Sequence, residues 1–211
     1  TVDGETARSS TGNWAAIRDG VATASNDSAA TIRFVSLGAL VSPDWAKVGR
    51  SFFLFNTGPT IGDNDSIDSA TLGLVAIGRT QTMAGQSARM VIPINNAPAS
   101  NTAIATGDHV NLGTAEQATD RTIAGFTVDS ATYNDFTLNA TGLTNVSKTG
   151  ITKFGFRIVS DATNTEVTPH PGDSDAFFDV GDAEEILAGD KRPKLTVTHT
   201  PRGFFPKAMV F

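Results

Sequence analysis

Residues 49–55 read GRSFFLF, and four apolar side chains, Phe52, Phe53, Leu54 and Phe55, follow one another in it without a polar break. A strand with one wet face alternates apolar and polar residues with a period of two. This run does not alternate, so it predicts a central strand covered on both faces, with Phe52 to Phe55 as core rather than as a ligand platform.

Outward from it, further runs of strand length carry β-branched and aromatic residues: WAAIR (14–18), TIRFV (31–35), ATLGLVAI (70–77), ARMVIPI (88–94), AGFTV (124–128), NDFTLNA (134–140), KFGFRIV (153–159), DAFFDV (175–180) and KLTVTHT (194–200). In KFGFRIV, Phe154, Phe156 and Ile158 fall on one face and Lys153, Gly155 and Arg157 on the other, which predicts one buried and one wet face. Leu195, Val197 and His199 alternate in the same way with Lys194, Thr196 and Thr198. Turn-rich segments such as NTGPTIGDNDS and HPGDSD separate the runs. The expected fold is all-β, an antiparallel jelly-roll-like β-sandwich. One or two short helices are expected, at 143–150 (LTNVSKTG) and 181–189 (GDAEEILAG).

The chain has 211 residues, which suits one domain over 1–200 followed by an extended C-terminal tail over 201–211. Its net charge is −6 and its Lys and Arg are scattered, so no footprint for nucleic acid is present. With no cysteine, disulfides and thiolate metal sites are excluded. No apolar stretch is long enough to span a membrane, and the first twenty residues lack the basic start and apolar block of an export signal.

No catalytic signature rises from the sequence. His109, His170 and His199 have no partner at zinc-ligand spacing and read as loop or strand-end residues. G-x-S-x-G, Walker and G-x-G-x-x-G patterns are missing. A paired-carboxylate glycosidase would need an aromatic cleft, and the chain has only two Trp and one Tyr. Trp14 and Trp45 are the side chains a sugar-stacking site would use, although their surroundings suit core anchors better. Asp63 with Asp65, and Asp173 with Asp175, stand in Asp-rich turns and are candidate calcium ligands. Solvated turns, whose bends Asp and Asn favour, account for them better, and no other cofactor is implied.

The blocks DGETARSSTGNWAAIRDG, GRSFFLFNTGPTIGDNDSIDSATLGLVAIGR, APASNTAIATGDHVNLGT, YNDFTLNATGLTNVSKTGITKFGFRI and RPKLTVTHT, in that order over about residues 3–200, resemble single-domain phage and environmental bacterial proteins. They are similar to the DNRLRE-type and disaggregatase-related carbohydrate-binding modules, and that resemblance implies a jelly-roll sandwich and no catalytic residue. Asn56 stands where such relatives often carry Asp, which removes one carboxylate ligand from the comparison.

The segment RGFFPKAMVF (202–211) closes the chain, and Phe204, Phe205, Met209, Val210 and Phe211 would be an aggregation liability if left in water. They are the expected partner-docking residues, either folded back on the domain or inserted into a second copy or a capsid or tail protein. The sequence therefore leads to a non-enzymatic, oligomeric virion surface protein of a bacteriophage, a capsid decoration, head-fibre or tail component. The alternative is a secreted or cell-surface, extracellular carbohydrate-binding module stabilised by calcium.

Overall fold

In the computed structural model, described over residues 2–27, 31–168, 170–181 and 192–201, the phenylalanine run lies in a strand that pairs with three neighbours. The expected helix at 181–189 lies, beyond Gly181, outside the described residues, as does all of 202–211. The described strands are, in chain order, β1 (Val2–Gly12), β2 (Ala24–Asn26), β3 (Thr31–Ala39), β4 (Trp45–Asn56), β5 (Ser66–Gln81), β6 (Ser87–Val91), β7 (Arg121–Thr122), β8 (Tyr133–Thr137), β9 (Ile151–Ile158), β10 (Ser174–Gly181) and β11 (Lys194–Thr200). Their ladders are antiparallel, and the architecture is an all-β, sandwich-like curled sheet. Among the described residues three short α-helices accompany them, α1 (Trp14–Asp19), α2 (Ala140–Thr144) and α3 (Val159–Thr163).

Two strands organise the sheet. Along one edge β4 pairs with β1; along the other it pairs first with β3, up to Gly49, and then with β9, from Ser51 onward. Arg50 marks the changeover. β5 pairs over its first part with β11 and β8, and over its last residues with β10. The β11-β5-β8 layer thereby folds onto the β10-β3-β4-β9 layer, and phenylalanines fill the space between. Phe34 packs on Phe156 with ring centroids 4.3 Å apart, Phe126 on Phe178 at 4.1 Å, and Phe136 on Phe156 at 4.9 Å.

The covered-strand expectation for β4 holds, and the two faces meet different cores. Phe53 and Phe55 enter the main core, whereas Phe52 and Leu54 join Val91, Ile104 and Leu112 in a second one. The segment after β6 supplies that second cover, and it corrects the wet face expected of β9. Gly155 is buried against Leu112, whose Cδ2 would lie 2.4 Å from any Cβ placed there. Arg157, expected in water, is buried as well.

Three other expectations change. WAAIR is helix, not strand: Asn13 caps it by accepting from the Ala16 amide at 3.0 Å, and Trp14 and Ile17, three residues apart, supply the buried face. AGFTV forms a 3-10 turn at Ile123–Gly125 and a single bridge between Val128 and Ala76. The helix foreseen at 143–150 lies earlier, in α2, where Asn139 caps it through the Gly142 amide.

A buried ionic cluster ties these parts together. Asp161, in the first turn of α3, is fully buried and accepts from two guanidiniums at once. Arg50 donates through Nε to Oδ2 (2.8 Å) and through Nη2 to Oδ1 (2.7 Å), and Arg157 does the same (2.8 and 2.7 Å). Further donors reach backbone: Arg50 to His109 O (2.5 Å) and Arg18 O (2.8 Å), and Arg157 to Leu112 O (3.0 Å). Burial alone would raise the Asp161 carboxyl, but the charge and hydrogen bonds of Arg50 and Arg157 hold it well below the usual carboxylate range.

His109 is not a surface histidine. It lies in the 3-10 turn Thr106–Asn111, wholly buried, with Nδ1 2.9 Å from Thr6 Oγ1. Burial, and then the charge of Arg50, push its pKa down to about 3, so the ring is neutral.

Asp161→Asn should cost roughly 3–5 kcal/mol in denaturant unfolding, because it leaves two buried guanidiniums facing a neutral amide. A second expectation concerns pH. From about pH 6.5 down to about 3 the unfolded chain protonates His109 and the folded chain does not, so stability should fall with pH by about 1.4 kcal/mol per unit. His109→Asn should flatten that part of the curve. The Asp161 contribution has the depressed-carboxylate sign: it is complete above about pH 4 and is lost only below it.

Candidate functional site

A cleft of mixed chemistry lies between the end of β4 and the outer strand β11. Its volume is about 300 Å³, and Phe55, Ile61, Leu195 and Val197 form its apolar wall. Asn56, Thr57, Thr60 and His199 bring polar groups to it. β11 positions its share through alternation: Leu195, Val197 and His199 are half-buried while Lys194, Thr196, Thr198 and Thr200 are exposed, as the sequence pattern predicts.

The polar groups are held from behind. The Thr57 hydroxyl donates to Ser147 O at 2.6 Å and lies 2.7 Å from Thr152 Oγ1. The Thr57 and Gly58 amides both donate to Gly150 O (3.2 and 2.9 Å), so the floor of the loop after β4 is fastened to the loop before β9. His199 Nδ1 lies 2.7 Å from Asp65 Oδ2, and the same oxygen accepts from the Gly62 amide at 2.9 Å. Lys148 donates to the Asp65 carbonyl. One residue further along β11, the Thr200 hydroxyl donates to Asp68 Oδ2 at 2.6 Å.

A carboxylate that orients an imidazole is two thirds of an acyl-transfer triad. Among the described residues no hydroxyl hydrogen-bonds His199, so the pairing acts here as a clasp between the end of β11 and the 62–65 turn. Asp65 and His199 are 134 residues apart, and no local spacing could have signalled their meeting.

The candidate sugar platforms are core residues. Trp14 and Trp45 are 7% and 0% exposed, and their rings meet edge to face with centroids 5.0 Å apart. Each indole N–H is used inside the chain: Trp14 donates to Asn164 Oδ1 (3.1 Å) and Trp45 to Glu166 Oε1 (2.8 Å). His170 adds an edge-on contact to Trp45, with centroids at 4.9 Å. Neither indole keeps a free face for a sugar ring.

Of the candidate calcium ligands, Asp63 is exposed and Asp65 is buried with its carboxylate engaged as described. Asp173 and Asp175 are exposed, and the Asp175 backbone is bonded to Thr82 and Met83. Among the described residues no group of three or more His, Asp or Glu is arranged to hold a metal ion. The docking residues Phe204, Phe205, Met209, Val210 and Phe211 lie outside the described residues. No described helix is long and apolar enough to cross a membrane.

Asp65→Ala should release the end of β11 at a cost of about 1 kcal/mol. Amide hydrogen exchange would show it as faster exchange at residues 197–200 with the β3-β4 ladder unchanged. In comparisons with known proteins, the chain matches no family model and no curated protein.

Proposed function

We propose that the protein is a non-enzymatic structural module that assembles through β11 and the apolar segment after it. The observation that carries this reading is the position of β11. Among the described residues it pairs with β5 alone, and the chain runs from it into RGFFPKAMVF at 202–211. A strand at the rim of a sheet is a template for a further strand. In strand addition, main-chain bonds provide affinity and alternate side chains provide selectivity. The cleft lined by Leu195, Val197 and His199 lies beside that rim, within reach of side chains from an incoming strand.

The setting we assign is a virion surface, with the module as a capsid decoration, head-fibre or tail component. The resemblance to phage single-domain proteins and the cysteine-free, acidic composition support it. The partner is then a second copy of this chain or a capsid or tail protein. A second reading, carbohydrate binding at an extracellular surface, draws on the same cleft, where an amide, two hydroxyls and an imidazole surround an apolar wall.

Light scattering on the full chain beside one ending at Thr200 tests the assembly reading. The full chain should exceed monomer mass, or be driven to do so by a capsid fraction, while the shortened chain stays a folded monomer. Equal monomers with and without such a fraction would sink it, and saturable binding of a glycan at the cleft would then favour the second reading.

A further inference from the structure

A second cleft, of about 210 Å³, opens directly above the buried ionic cluster and is lined by Arg18, Asp19, Arg50, Val110 and Arg157. We propose that it binds a single small oxyanion, a carboxylate, sulfate or phosphate group, on Arg18 and the remaining N–H of Arg50. The site is independent of β11 and of the assembly reading.

A count of donors leads there. A guanidinium carries five N–H groups in a fixed fork. All five of Arg157 are engaged: Nε and Nη2 on Asp161, and Nη1 on the Leu112 and Gly113 carbonyls. Arg50 uses four, on Asp161, Arg18 O and His109 O, and one Nη1 hydrogen is left over. Arg18 uses only two, donating through Nε to Asp161 O (2.9 Å) and through Nη1 to Asp19. Its Nη2 has no hydrogen-bond partner among the described residues. The spare donors thus belong to two arginines that line the same cleft.

Charge points the same way. Three guanidiniums face Asp161 and Asp19, and the side chain of Asp19 is 56% exposed at the rim, where water screens it. One positive charge is therefore left over beside low-dielectric walls. Val110, 40% exposed, gives the cleft one apolar side. The volume corresponds to about seven waters at ~30 Å³ each, enough for one oxyanion and its remaining hydration but not for a polymer.

Sodium sulfate titrated into the full chain at constant ionic strength, read by the Nε–Hε NMR signals of Arg18 and Arg50, provides the test. Saturable shifts are expected in the wild type. Arg18→Gln should weaken apparent affinity about tenfold or more by removing charge-assisted donors, and Asp19→Asn should tighten it by removing a repelling charge and weakening the hold on Arg18 Nη1. A linear, unsaturated response in the wild type would overturn the proposal. So would an Asp19→Asn variant that binds no more tightly, a result that stands even if Arg18→Gln does not fold.

Discussion

Everything around the centre of this protein is arranged so that one buried carboxylate never lacks its two guanidiniums. Asp161 stands in α3, Arg50 in β4 and Arg157 in β9, and the donors left over hold the backbone of α1 and of the turn that carries His109. Arg50 occupies the residue at which β4 exchanges one neighbour for another, where a sheet would otherwise split. Such a cluster is expensive to desolvate, and its net contribution to stability is small unless every lone pair is met. Here the carboxylate is met from both sides, and the same four bonds fix where α3, β4 and β9 come together.

The split sheet needs that fixing because β4 serves two cores. Its odd and even phenylalanines, Phe53 and Phe52, enter different clusters, and a slip of one residue would exchange them. The main cluster is wide and aromatic; the second is small and closed by the segment that carries Ile104 and Leu112. Gly155 permits that closure, since the backbone there lies too near Leu112 to leave room for a side chain.

The unalternating run at 49–55 was legible because two-sided burial leaves a direct trace in the order of residues. β1 was not, since it reads DGETARSSTG after Val2 and its place in the sheet comes from its ladder with β4 rather than from apolar side chains. WAAIR misleads because Trp14 and Ala16 mimic a strand while Trp14 and Ile17 make a helix, and the Asn13 cap decides between them. Arg157 alternates as a wet residue would, and only the covering segment and Asp161 bring it inside. The clasp of His199 and Asp65 left no trace, because its members meet through the ladder of β11 with β5 and not through proximity in sequence.

The double duty of β5 bears on how the chain comes to be folded during synthesis. The strands of the first eighty residues find many of their neighbours late: β4 waits for β9, β3 for β10, and β5 for β10 and β11. A ribosome must therefore deliver β10 and β11 before the two layers can close, while β3 and β5 are already made and lack those neighbours. Pairings of that sequence separation are slow to form, and a nascent chain in that condition is open to pairing with its neighbours on the same message. The architecture places its greatest exposure before β10 and β11 are made, and their pairing with β3 and β5 relieves it.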